Sequence, residues 1–140
     1  MQNRTMPDCT ILPVLSYDDV EEAIDWLCKT FGFQERWRVA NHRAQLSYYG
    51  GVIVVTEGDG RPGNGDLNST RHSLLVRVTN IDQHFTKAAG LGAVILQAPA
   101  DYPFGERQYT VNDIGGHRWT FSQSIKDLAP EDWGGTTAEG

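Results

Sequence analysis

A capped amphipathic helix followed by strands occurs twice in this chain, 61 positions apart. Val20, Ile24, Leu27 and Cys28 in the first copy align with Ile81, Phe85, Ala88 and Ala89 in the second. The identities change but every position stays apolar at helical spacing, so one buried helix face is written twice. A unit of about fifty residues that recurs within 140 leaves room for one duplicated domain and little else.

Each copy reads strand, helix, strand, strand, strand. In the first, residues 10–16 are a short apolar strand whose Pro13 belongs at a sheet edge. Asp18, with Glu21 three residues on, is the expected helix cap, and Gly32 is the stop. Strands follow at 34–40, 44–49 and 52–57, with Gly50-Gly51 as the two-residue hairpin turn. In the second, strand 73–78 leads to a helix capped by Asn80, with Ile81, Phe85, Ala88 and Ala89 inward. Strands at 93–97, 106–111 and 118–123 complete it. Glycine, proline and asparagine dominate residues 58–71, which read as the linker between modules 9–57 and 72–123 of a single domain, 1–140. Residues 124–140 form a tail. The fold class is α+β: two βαβββ modules whose curved mixed sheets are expected to enclose a cleft.

Composition removes several function classes. Twelve basic residues against 18 acidic, a net charge of −6, argue against a nucleic-acid partner. No apolar run approaches the ~20 residues of a bilayer span, and the first residues lack the apolar stretch of a secretory signal, so the expected location is cytoplasmic. Two cysteines cannot form a disulfide framework or a structural zinc site. The glycines of 58–65 are followed by no Gly-Lys-Ser/Thr, and no Gly-x-Ser-x-Gly elbow occurs.

In the second half, Pro103-Phe104-Gly105-Glu106-Arg107 leads into one strand and Asp113-Ile114-Gly115-Gly116-His117-Arg118-Trp119 into the last. With the duplicated βαβββ order, these segments resemble the vicinal oxygen chelate superfamily of glyoxalase I, extradiol dioxygenases, fosfomycin-resistance enzymes and bleomycin-resistance proteins. The resemblance covers residues 9–123. It implies a small organic ligand, a homodimer and, in many members, a divalent metal held by His and Glu on the first and last strands of each module. Here those places fall on Leu12, Val54, Ser73 (with His72 beside it) and Thr120, of which three cannot serve. The expectation is therefore no metal and no cofactor, with a divalent ion as the weaker alternative. The function expected is drug or metabolite binding of the bleomycin-resistance type, antibiotic sequestration included. The alternative is a lyase, isomerase or dioxygenase with a displaced or absent metal site.

Strand parity supplies a candidate lining. Trp119 and Phe121 take the helix side, leaving Thr120 facing away from it. Leu74, Val76 and Val78 likewise leave Ser73 and Arg77 on the open side. Arg107 and Tyr109 share a face assigned to the ligand, and Phe104, Trp37 and Tyr49 add aromatic surface. Rings that stack and guanidinium groups that orient suit a planar or amphipathic organic molecule.

Overall fold

The computed structural model describes residues 3–58 and 72–138. Its order is β1 (Val14–Tyr17), α1 (Val20–Trp26), β2 (Gln34–Val39), β3 (Arg43–Tyr48), β4 (Gly51–Glu57), β5 (Leu74–Arg77), α2 (Ile81–Gly90), β6 (Val94–Tyr102), β7 (Glu106–Asn112) and β8 (Arg118–Ser124). Two four-stranded mixed sheets result, ordered β1-β4-β3-β2 and β5-β8-β7-β6. In each, the first strand runs parallel to the last and every other pairing is antiparallel. This is the expected pair of βαβββ modules. By contacts the chain divides into Met1–Asn68 with Ile114–His117, and Ser69–Asp113 with Arg118–Gly140. The expected linker lies, apart from Gly58, outside the described residues.

In the first unit α1 buries Val20, Ala23 and Ile24 against Leu15, Ala44, Leu46 and Val55 of the sheet. Each such valine, leucine or isoleucine contributes roughly 1.5–3 kcal/mol on leaving water. The cap is Asp19, whose carboxylate accepts from the Glu22 N–H at 3.1 Å, not Asp18. Asp19 and Asn80 then stand 61 positions apart, and Asn80 accepts from Gln83 N–H in the same way. After Trp26 the helix widens into a π-helical turn, Leu27–Phe31, closed by Gly32 at φ 84°.

Three expectations are corrected here. Strand β1 begins at Val14, because Pro13 has no N–H to give; only its carbonyl joins the ladder, accepting from Val54 at 2.8 Å. The β3–β4 turn is Tyr49-Gly50, at φ 44° and 88°, with Tyr48 paired to Gly51. Both residues are left-handed, as a hairpin twist of this hand demands. Strand β6 runs on to Tyr102, past the expected end at 97, through two register irregularities, the second of which spans Pro99.

In the second unit α2 covers Tyr109, Val111, Trp119 and Phe121, all fully buried. Ile81 and Ala88 face that core, while Ala89, expected inward, is exposed. His84 fills the gap, its ring 4.1 Å from Phe121 and its Nδ1 within 2.5 Å of the Tyr109 hydroxyl. No helix among the described residues is long and apolar enough to cross a membrane.

Candidate functional site

Because β8 holds the centre of the second sheet, its alternation decides what each face offers. Trp119 and Phe121 pair in register with Leu74 and Val76 of β5 and with Val111 and Tyr109 of β7, all beneath α2. The opposite face therefore carries Leu75 and Arg77 from β5 and Thr120 and Ser122 from β8. From β7 it takes Glu106, Gln108, Thr110 and Asn112.

Polar side chains tile this face. The Thr110 and Thr120 hydroxyls lie 3.1 Å apart. Ser122 Oγ and Gln108 Nε2 both donate to Glu106 Oε1, the latter at 3.1 Å. Arg77 pairs in register with Ser122, is exposed, and has no hydrogen-bond or ion-pair partner among the described residues. Asn112 is buried with neither amide atom hydrogen-bonded among them. A buried amide of that kind costs roughly 1–3 kcal/mol.

The structure brings Arg77 and Thr120 onto this face, with Ser73 exposed just ahead of β5. It removes Tyr109 and Arg107 from it, correcting the parity first assigned to β7. Tyr109 is fully buried under α2, its ring 5.4 Å from Phe85. Arg107 lies on the same side, held by Asp101 at 2.9 Å and by Asp82 of α2 at 3.0 Å. Those two carboxylates raise its already high pKa further and fix it as a surface tie. The remaining candidates are dispersed. Trp37 follows a bulge in β2 and donates its indole N–H to Thr5 O at 3.2 Å. Tyr49 projects from its turn, 94% exposed. Phe104 stacks on Tyr102 and meets the ring of Trp133 from the tail.

Gln108, Thr110 and Asn112 are the residues that sequence reasoning missed. The available signal was β8: once Thr120 and Ser122 face away from the helix, antiparallel register carries Thr110 and Gln108 with them. In the first unit, residues of the N-terminal segment such as Arg4, Met6 and Cys9 border a groove of about 780 Å³ with Arg36, Ser47 and Val52. Arg36 bonds Gln45 and, at 3.2 Å, the Arg4 carbonyl. The other thiol, Cys28, is half-buried. That burial, followed by the charges of Glu35 and Asp25, pushes its pKa up, which suppresses the nucleophilic thiolate.

The donor set does not fit a family-type metal. Leu12 precedes β1, Val54 is a buried aliphatic, and the Thr120 hydroxyl is engaged by Thr110. His72 is exposed ahead of β5, and among the described residues no three His, Cys, Asp or Glu side chains gather as a metal would require. His117 does other work, its Nε2 donating to Ser16 O at 2.7 Å while its ring meets Tyr17 edge-on.

Comparison with known proteins agrees with this architecture. Residues 10–121 match the family model of the Glyoxalase/Bleomycin resistance protein/Dioxygenase superfamily. TioX from Micromonospora sp. ML1 is 31% identical and superposes with a TM-score of 0.67, over 86% of this chain and 100% of that one. The fosfomycin resistance protein FosX of Listeria monocytogenes shares the fold at 16% identity and TM-score 0.68, over 91% and 98% of the two chains. The uncharacterized protein Rv0887c of Mycobacterium tuberculosis is 28% identical over 127 residues, 83% of this chain and 75% of that protein.

Proposed function

This chain belongs to the Glyoxalase/Bleomycin resistance protein/Dioxygenase superfamily, and on that premise we propose that it captures a small organic molecule without a resident metal. The ligand, a drug or metabolite, is held on the face of the second sheet opposite α2, at its exposed Arg77 edge, and the protein acts by sequestration. The observation that carries this reading is the row Arg77–Ser122–Gln108, flanked by Thr120 and Thr110, on the sheet face opposite α2: Arg77 is exposed, Gln108 and both threonines are half-buried, and Ser122 is buried. Hydroxyl and amide groups held in register by a sheet orient a ligand with little ordering cost. Beside them a guanidinium with no partner among the described residues supplies a strong, directional donor for an anionic or carbonyl oxygen. The lack of a fitting donor set at Leu12, Val54 and Thr120 supports binding over metal chemistry.

A homodimer belongs to the same reading. Ile11 ahead of β1, Val14 on β1 and Leu75 on β5 are all exposed, and β1 and β5 are edge strands. Apolar side chains on unpaired edges are what a second copy would cover.

A second reading has one specific observation behind it. Glu106 is half-buried and oriented by Ser122 and Gln108, which suits a general base in a metal-free lyase or isomerase.

The test is calorimetric titration with bleomycin and a panel of aromatic drugs, before and after exhaustive chelation. Binding that survives chelation, with the compound recovered chemically intact, is the expected outcome. Binding lost on chelation and restored by nickel or manganese would restore a displaced metal site. Conversion of the compound would favour the Glu106 reading.

A further inference from the structure

Where β7 begins, the second unit forms a pocket of about 590 Å³ lined by Phe104, Glu106, Ile125, Lys126, Asp127 and Leu128. We infer that this pocket binds an organic ammonium ion. The inference goes beyond the capture proposed above, since it requires neither Arg77 nor a large ligand.

The aromatic wall comes first. Phe104 is stacked on Tyr102, centroids 5.3 Å apart, and takes the ring of Trp133 edge-on at 5.7 Å. Phe104 is the one ring among the pocket's lining residues; Trp133, in contact with it from the tail, keeps 43% of its surface exposed. Ring faces attract cations through their quadrupole, and alkylated ammonium ions lose little hydration on approach.

The carboxylate comes second. Glu106 lines the pocket, is half-buried, and accepts from Ser122 Oγ and Gln108 Nε2 through one oxygen only, Oε1. Ser122 is itself buried, so the carboxylate is aimed by a fixed donor. Among the described residues Glu106 makes no ion pair. Its second oxygen is the group that an incoming cation would meet, with Asp127 adding charge of the same sign.

The floor is rigid. Gly105 sits at φ 84°, and its carbonyl accepts from the Ile125 N–H at 2.8 Å and the Lys126 N–H at 3.3 Å. A Cβ there would stand 2.4 Å from the Lys126 carbonyl oxygen, so the two loops touch backbone to backbone. Lys126 is the internal competitor, an exposed ammonium at the rim of the same pocket.

The experiment is an NMR titration of the full chain with choline, alongside its neutral isostere 3,3-dimethylbutan-1-ol. Choline is expected to give saturable shifts at the Gly105 and Asp127 amides and the Trp133 indole, and the alcohol none. Glu106→Gln keeps the shape and should weaken choline about tenfold. Phe104→Leu should weaken it about fivefold, and Lys126→Met should tighten it. Equal binding of the alcohol, unchanged affinity in Glu106→Gln, or the absence of saturable shifts at these three groups would each overturn the site. If Phe104→Leu fails to fold, the isostere and Glu106→Gln still decide. Loss of choline binding with drug capture intact would refute this pocket alone; loss of capture with choline binding intact would refute only the earlier reading.

Discussion

The indole N–H of Trp119 donates to the Asp113 carboxylate across 2.9 Å, and both side chains are buried. This bond ties the start of the β7–β8 turn to the first buried ring of β8, so the turn and the core behind it are set together. The same strand presents Thr120 and Ser122 to the opposite face, and the geometry of the proposed binding surface therefore depends on it.

Removing that acceptor with Asp113→Ala should cost about 2 kcal/mol of unfolding free energy, the usual loss for a buried hydrogen bond to a charged group. Urea denaturation followed by far-UV circular dichroism measures it. A change below about 0.5 kcal/mol, the range of an ordinary surface substitution, would show that the bond does not hold the turn.

Helix capping separates two adjacent aspartates. Asp19→Ala should destabilise the protein by about 1 kcal/mol because the Glu22 N–H loses its acceptor. Asp18→Ala should stay within about 0.5 kcal/mol of the parent. Equal effects would mean that the cap is shared.

Gly115 has no room for a side chain. A Cβ there would lie 2.5 Å from Cδ1 of Tyr17, whose ring is buried and meets His117 edge-on. Gly115→Ala should lower stability by about 2 kcal/mol, the range of an overpacked core. Thermal melts compared with Gly90→Ala, where the added carbon meets nothing within 4 Å, make the measurement internal.

Arg77→Met retains most of the side-chain length and deletes the charge. Affinity for a captured ligand should fall about tenfold, the worth of one charge-assisted hydrogen bond. Arg77 is exposed, so the melting temperature should scarcely move. Unchanged affinity by titration calorimetry would remove Arg77 from the site.

Light scattering at micromolar concentration should return about 31 kDa, twice the 15.6 kDa chain, if the apolar edges at Val14 and Leu75 are covered by a second copy. Leu75→Lys should shift the population toward monomer. A value near 16 kDa for the parent protein would set the dimer aside.

The amino-acid sequence alone determined the two βαβββ modules, because the apolar helix faces from Val20 to Cys28 and from Ile81 to Ala88 repeat, each followed by three strand-like segments whose sheet can cover it. It determined the face of β5 as well: Leu74, Val76 and Val78 alternate with Leu75 and Arg77, and a strand has only two sides. Tertiary structure decided the face of β7. Arg107, Tyr109 and Val111 are equally consistent with either side until register against Trp119 and Phe121 and the carboxylate of Asp82 on α2 break the tie. It also decided which of two neighbouring aspartates caps α1 and where the β3–β4 turn falls, since both differ from their alternatives by one residue of register. The placing of Phe104 against Tyr102 and Trp133 depended on it too. Local periodicity reports burial along one element; the register between elements is set by packing, which no local pattern records.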